Sequence, residues 1–366
     1  SVDLGIGEKY KPIIEKHIKF FANKERTQRF YDLKIDNFNE ENILIGLMSA
    51  VCRTRTCSFE EVIRVLLTDD TLEGNKFIAD FGKFDLLESF WKYTQQQFGY
   101  SSPAPSLEKL VVSMFVTYTG RYISAELPKG WKGAVSYKSG NIIAFMDNLM
   151  NNVLYQDKYE ALSAYVAGIL DAGKVLSRYE PEALVECDTF ADIDIILIRW
   201  IKERLLAEDL MARLNNKSLC EICEIRSKMH FGRKYAKAYQ MLGNAYHIIS
   251  QVNYQPLNGF KKIIDYYAAS GCLIDCSYRK FYTDYDELED TSDFQGLREF
   301  VENIYTNEYL GKLLPKWNEG LQERDALTVI PLQRDFFRKY VSSNKERTVV
   351  IISDGMRYEV GRELFK

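Results

Sequence analysis

Close to its C-terminus the chain reads "RTVVIISDGMRYEVGRELFK". The run from Val349 to Ile352 has no helical period and no polar alternation. A β-prone run that is apolar on both faces belongs in the middle of a parallel sheet, covered by helices on each side. Asp354 and Gly355 follow as a turn, and "EVGRELF" restarts a helical pattern. This order is the first strand-turn-helix of an α/β domain. Its other strands are expected beyond Lys366, because nothing upstream offers several comparable runs. The domain boundary is placed near residue 345, with 1–345 an all-helical region and 346–366 the opening of a truncated second domain.

The region before that boundary is mainly α. "NILIGLMSAVC" puts Ile43, Leu44, Leu47, Met48 and Val51 on one helical face. "LEKLVVSMFVTY" does the same with Leu107, Leu110, Val111, Met114 and Phe115, after the breaker "SSPAPS". Further helices are expected over "YEALSAYVAGIL", "IDIILIRWIKERLLAEDLMARL", "GRKYAKAYQMLGNAYHIISQV" and "GLREFVENIYTNEYLGKLLPKW", with "PLQRDFFRKYVSS" a last short one. No fixed-period repeat relates them. With 46% hydrophobic residues, 24 Tyr and 21 Phe, a large core is easily filled. The net charge of -4 argues against a dedicated nucleic-acid binder. No apolar run approaches the length of a membrane span, and the expectation is a soluble, cytoplasmic piece of a longer protein.

Asp354 is the strongest site candidate. In open α/β sheets ligands bind at the carboxyl ends of parallel strands, where a carboxylate suits a divalent cation. Against this stands the plain reading of Asp-Gly as a turn. A Walker B role needs a P-loop, and the chain has none. An aspartyl-phosphatase of the haloacid-dehalogenase type needs a second Asp two positions on, where Met356 stands. An alkaline-phosphatase-like metal ligand stays open. The seven cysteines are odd in number and irregularly placed, which fits reduced, buried thiols better than disulfides. Cys220, Cys223 and His230, with Cys272 and Cys276, have the elements of a zinc site, but the same spacing is a core stripe, which is the favoured reading. The basic clusters "KERTQR" and "IRSKMHFGRK" read as solvated helix faces.

"VVIISDGMRYEVGREL" resembles the signature of PglZ-type proteins of BREX phage-defence systems, members of the alkaline phosphatase superfamily. The usual form there is an isoleucine-rich strand followed by Asp-Ala-Leu-Arg-Tyr-Glu; Gly355 and Met356 replace Ala and Leu. Upstream, "KHIKFFANKERTQRF", "FWKYTQQQFGY", "PSLEKLVVSMFVT", "EIRSKMHFGRKYAKAY", "LIDCSYRKFY" and "VENIYTNEYLGKLLPKW" are similar to the same family's helical region, so that the resemblance covers nearly the whole chain. It implies a metal-dependent phosphatase or phosphodiesterase with divalent ions, zinc foremost, and Asp354 as a metal ligand. It implies a Ser or Thr nucleophile downstream of this chain, so no catalytic residue is assigned here and the fragment itself is expected to be inactive. Arg357, Tyr358 and Glu359 belong to the signature. Arg357 is open to two roles, reaching a phosphate or pairing with Glu359 or another acid, and a structural role is favoured for all three. Implied partners are a methyltransferase and large ATPases. The alternative is a helical scaffold or interaction module of a defence complex whose phosphatase domain is degenerate.

Overall fold

A computed structural model describes residues 8–251, 254–324, 326–328 and 330–365. The chain divides into two compact units, Ser1–Ile193 and Asp194–Lys366. Both are built mainly of α-helices, as the periodicity predicts.

In the first unit, helix starts follow from short polar caps. Asn23, Asn39, Ser58, Asn75 and Ser106 each accept a hydrogen bond from a backbone N–H of the first turn, satisfying donors that have no partner within the helix. Two helices are more central than one-face patterning implies. In Glu40–Cys52 every residue from Ile43 to Cys52 is buried. Leu107–Tyr122 buries Ser113, Val116, Thr117, Tyr118 and Thr119 along with its apolar face. These polar positions fit a core because each finds a near partner. Ser113 donates to the Ala134 carbonyl (2.7 Å), Thr119 to that of Phe115 (2.8 Å), and Thr117 Oγ1 accepts from Ser136 N (2.9 Å). Elsewhere in this unit Phe20, Phe81, Phe90 and Phe98 are almost completely buried, as is Phe115 of the same helix.

The second unit departs further from its sequence pattern. The helix expected over 193–214 ends at Leu206. Glu208 then takes a left-handed conformation with φ 54°, and the chain enters a two-stranded antiparallel hairpin that pairs Arg213 with Ser218 and Leu214 with Lys217. Asn215 and Asn216 supply the turn with φ of 49° and 64°. Two consecutive left-handed residues match the twist of a hairpin, and Asn tolerates that region well. Ser218 next closes a capping box with Glu221 at the start of Leu219–Arg226. Ala236–Ile249 and Cys272–Asp286 follow as long helices.

Three segments with an α-helical sequence pattern contain π-helical turns instead: Tyr267–Gly271, Ile304–Leu310 and Phe337–Val341. Such turns interrupt the regular i→i−4 ladder and re-aim the side chains around them. The first two touch, since Tyr309 donates its hydroxyl hydrogen to the Gly271 carbonyl (3.1 Å).

The terminal β-α unit forms only in part. Gly355 makes its turn with φ 73°, and Tyr358–Leu364 is a helix. The run before them does not form a strand: residues 348–353 make no sheet pairing, and Val349, Ile351 and Ile352 are 77%, 89% and 85% exposed. A strand takes its hydrogen bonds from neighbours, and the sheet found among the described residues is the hairpin at 213–218. Residues 346–366 group with the second unit.

Candidate functional site

The signature has two unlike ends. Asp354 is exposed and makes no hydrogen bond or ion pair with any described residue. Five positions on, Glu359 is buried at 3% exposure. A carboxylate is taken out of water at such cost that it must be paired, and Glu359 is: Arg279 Nε donates to its Oε1 at 3.1 Å. The sequence reading offered Arg357 as a partner of Glu359; the partner is Arg279, eighty residues upstream. Arg357 is instead the exposed N-cap of the terminal helix, and its positive charge favours the ionised form of Asp275. Tyr358 lies half out of the surface with its ring 6.0 Å from that of Tyr267.

Glu359 belongs to a larger polar cluster. Tyr267 donates its hydroxyl hydrogen to Asp275 Oδ2 (2.6 Å) and stands 3.4 Å from Glu359 Oε2. Tyr305 donates to Asp275 Oδ1 (3.0 Å). Burial pushes the Asp275 carboxyl above its usual value, against the two phenol hydrogen bonds. Both phenols are held well above theirs, by burial first and then by Asp275. The π-helical turns explain the convergence, because Tyr267 and Tyr305 come from one such turn each. Beside this cluster Arg362 Nη1 donates to the Ala268 carbonyl (2.6 Å) and lies 2.9 Å from Cys272 Sγ. Lys280 pairs with Glu363 (2.6 Å). Three side chains of one helical face, Glu359, Arg362 and Glu363, therefore dock the terminal helix onto 267–280. A cleft of about 440 Å³ runs beside them, lined by His247, Cys272, Cys276, Lys280, Glu359 and Arg362 among others.

The other sequence candidates lie elsewhere. Cys223 is buried, and its thiol is pushed up by burial. Cys220 Sγ is 3.5 Å from His247 Nε2, so the thiol meets His247 rather than His230. Burial and the nearby Glu224 and Glu221 raise the Cys220 thiol, and burial lowers His247, so this pair is held in its neutral form. His230 packs edge-on against Phe231. Among the described residues no group of three or more His, Cys, Asp or Glu converges as a metal site. Of the basic clusters, Lys24, Lys228, Arg233 and Lys234 stay exposed as expected, while one arginine in each is tied into the fold. Arg26 donates to the Phe20 carbonyl (3.1 Å) and stacks over Phe84 at 4.5 Å. Arg226 is completely buried against Asp194.

Sequence reasoning missed Asp275, Tyr267, Arg279 and Tyr305. One signal was present: Asp275 interrupts the apolar run "GCLIDC", an expensive position for an acid unless donors surround it.

The mainly helical fold and the "SDGMRYE" signature define the class, and comparison with known proteins agrees. The chain is 30% identical over 369 residues to the alkaline phosphatase-like protein PglZ of Bacillus cereus (strain H3081.97), covering 97% of this chain and 42% of that protein. It is 24% identical over 384 residues to the alkaline phosphatase-like protein BrxZ of Escherichia coli O9:H4 (strain HS), covering 96% of this chain and 44% of that one. The chain belongs to the PglZ type of alkaline phosphatase-like proteins. It spans less than half the length of either relative. No family model matches it, and no solved structure does. No helix among the described residues is long and apolar enough to cross a membrane.

Proposed function

We propose that this chain serves a metal-dependent phosphatase or phosphodiesterase of a bacterial phage-exclusion (BREX) system, with Asp354 as one carboxylate donor to a divalent cation, zinc foremost. The observation that carries this reading is the placement of Asp354. It leaves a β-prone run at a Gly355 turn and is followed at once by a helix whose buried Glu359 is clamped. A lone carboxylate does not hold a catalytic cation, and no metal site is complete among the described residues. The remaining donors and the nucleophile are assigned to parts of the whole protein that the relatives possess and these residues do not supply. A bound divalent cation would supply Lewis-acid polarisation of a phosphoryl oxygen. By itself the chain is expected to be inert.

The test is metal content and hydrolysis of an aryl phosphate by the full-length protein. Asp354→Ala is expected to lose bound zinc and turnover together. Full metal content and turnover in that variant would overturn the assignment. Metal-dependent hydrolysis by residues 1–366 alone, lost in Asp354→Ala, would overturn the inertness.

A second reading is a helical interaction module for the other defence proteins, a methyltransferase and ATPases. It is favoured by large apolar side chains left at the surface, Val153 and Leu154 in the first unit at 79% and 80% exposure and Met211 in the second at 77%. Under this reading Asp354→Ala retains phage exclusion in cells, and under the enzymatic reading it loses it.

A further inference from the structure

Among the described residues Asp354 has no side-chain partner, and the run before it is exposed and unpaired. Its carboxylate is therefore aimed only through the backbone that follows: the left-handed Gly355, the extended N-cap Arg357 with ψ 154°, and the first turn of Tyr358–Leu364. That turn is held by a single buried side chain, Glu359, and Glu359 is held by groups far away in sequence. Arg279 gives it a charge-assisted hydrogen bond at 3.1 Å. Tyr267 approaches it at 3.4 Å while donating to Asp275 at 2.6 Å. Asp275 is in turn fixed from a second direction by Tyr305 at 3.0 Å.

Nothing in this cluster looks like a binding site. Asp275 takes the two phenol hydrogens and Glu359 takes the Arg279 donor, and the adjoining cleft is lined in part by side chains engaged with one another, such as Lys280 with Glu363. It has the features of a clamp. One π-helical turn, through Tyr267, and one α-helix, through Arg279, reach Glu359 of the signature, and the second π-helical turn reaches it only through Asp275, which Tyr305 holds. π-Helical turns recur where a protein must place side chains that a regular helix would not, and both of these serve the same acid. One atom is left over: Arg279 Nη2 is buried without an acceptor among the described residues. Arg279 thus meets Glu359 through Nε alone, as a single donor of charge and hydrogen.

We propose that Arg279, Tyr267 and Asp275 are positioning residues for the signature, and that by clamping Glu359 they set where the Asp354 carboxylate stands. The inference rests on Asp354 being the working carboxylate. It gives the helical region a part in the chemistry that a mere platform lacks: it holds the residue that carries the site.

Amide hydrogen exchange of the full-length protein, read together with steady-state hydrolysis of p-nitrophenyl phosphate, tests it. Arg279→Ala is expected to speed exchange over residues 361–365, whose amides are the ones bonded within the terminal helix, by about tenfold or more while leaving the Ala236–Ile249 helix unchanged, and to lower kcat by roughly 10–100-fold, the usual cost of losing a group that orients a ligand. KM is expected to move less than about twofold, since the clamp touches no substrate. Arg279→Lys is expected to restore both, because one donor suffices. Glu359→Ala combined with Arg279→Ala is expected to add nothing to either single change. If Arg279→Ala fails to fold, Tyr267→Phe carries the test, since it removes only the hydroxyl between the two acids; smaller changes of the same kind are expected. Unchanged exchange over 361–365 would overturn the proposal. Exchange rising equally throughout the second unit would also overturn it, as would altered exchange with unaltered kcat. A wild-type protein that neither binds zinc nor hydrolyses the ester while the exchange pattern holds would overturn the phosphatase reading and leave the clamp on the signature intact.

Discussion

The two units hide polar groups in different ways. In the first, buried polar side chains are mostly hydroxyls that bond a carbonyl close by: Thr94 to Phe90 (2.8 Å), Thr119 to Phe115 (2.8 Å), Ser163 to Thr189 (2.7 Å). In the second, full charges are buried. Arg226 and Asp194 lie at 0% exposure with Nη2 to Oδ1 at 2.8 Å, Tyr239 donates to the same carboxylate at 2.6 Å, and Glu359 is sealed against Arg279. A neutral hydroxyl can take any backbone carbonyl in reach, four residues back for Thr94 and Thr119 and 26 residues on for Ser163, and so asks little of the tertiary structure. A buried charge asks for one particular partner from a distant part of the chain, and its loss leaves an uncompensated ion. The first unit should therefore tolerate repacking, while the second should fail abruptly when one partner is removed.

Gly232→Ala is expected to have the largest effect on that contrast. A Cβ there would stand 1.7 Å from the carbonyl oxygen of Arg226. Backbone cannot yield as a side-chain end can, so the turn that presents Arg226 must break, at a cost above about 4 kcal/mol. Limited proteolysis should show the second unit cleaved and the first intact. A cooperatively folded variant with wild-type resistance would show that the Arg226 turn moves freely.

Arg226→Met comes next. Leaving Asp194 in the interior without its arginine is expected to cost about 3–5 kcal/mol, and pairing the change with Asp194→Leu should recover much of it. Urea unfolding followed at the second unit measures both. A single variant as stable as the double would remove the case for a special buried pair.

The smallest effect sharpens the comparison from the other side, where the first unit also buries titratable groups, Asp188 and His17 among them. His17 is buried at 1% exposure and donates Nδ1–H to the Phe84 carbonyl (2.9 Å). Burial is the main cause holding its pKa below the ordinary 6.5. A lowered value means the folded state favours the neutral ring. Stability from this group is then complete above pH 6.5 and is lost as the pH falls through the folded value. The melting temperature of the first unit is expected to decline below pH 6.5, and His17→Gln, which keeps a donor without a charge, is expected to flatten that decline. A wild-type profile that stays level to pH 5 would remove His17 as the cause.

Much of this was legible along the chain, and the exceptions have physical causes. Helices such as Leu107–Tyr122 are marked by period and by the Ser106 cap. Their full burial was not, because a one-dimensional pattern registers Ser113 and Thr117 as polar without showing the acceptor or donor each meets. The 213–218 hairpin was overlooked because a helical period extends through "DLMARL", although Asn215-Asn216 is a fair turn signal. The π-helical turns leave no mark on period at all, for the sequence around Tyr267 and Tyr305 reads as ordinary helix. Of the site, Asp354 and the Gly355 turn were visible as local chemistry. The partner of Glu359 was not, since eighty residues separate it from Arg279.

The sequence alone determined the helical class, the capped starts, the left-handed turn at Gly355 and the relationship to PglZ-type proteins, because each is written in near-neighbour chemistry or in an ordered series of residues. Only the tertiary structure decided which charges meet: Arg226 with Asp194, and Arg279 with Glu359 beside Tyr267 and Asp275. It also left Val349–Ile352 unpaired. Strand pairing and burial of charge both depend on what lies opposite, and a residue's own type says only what it needs there.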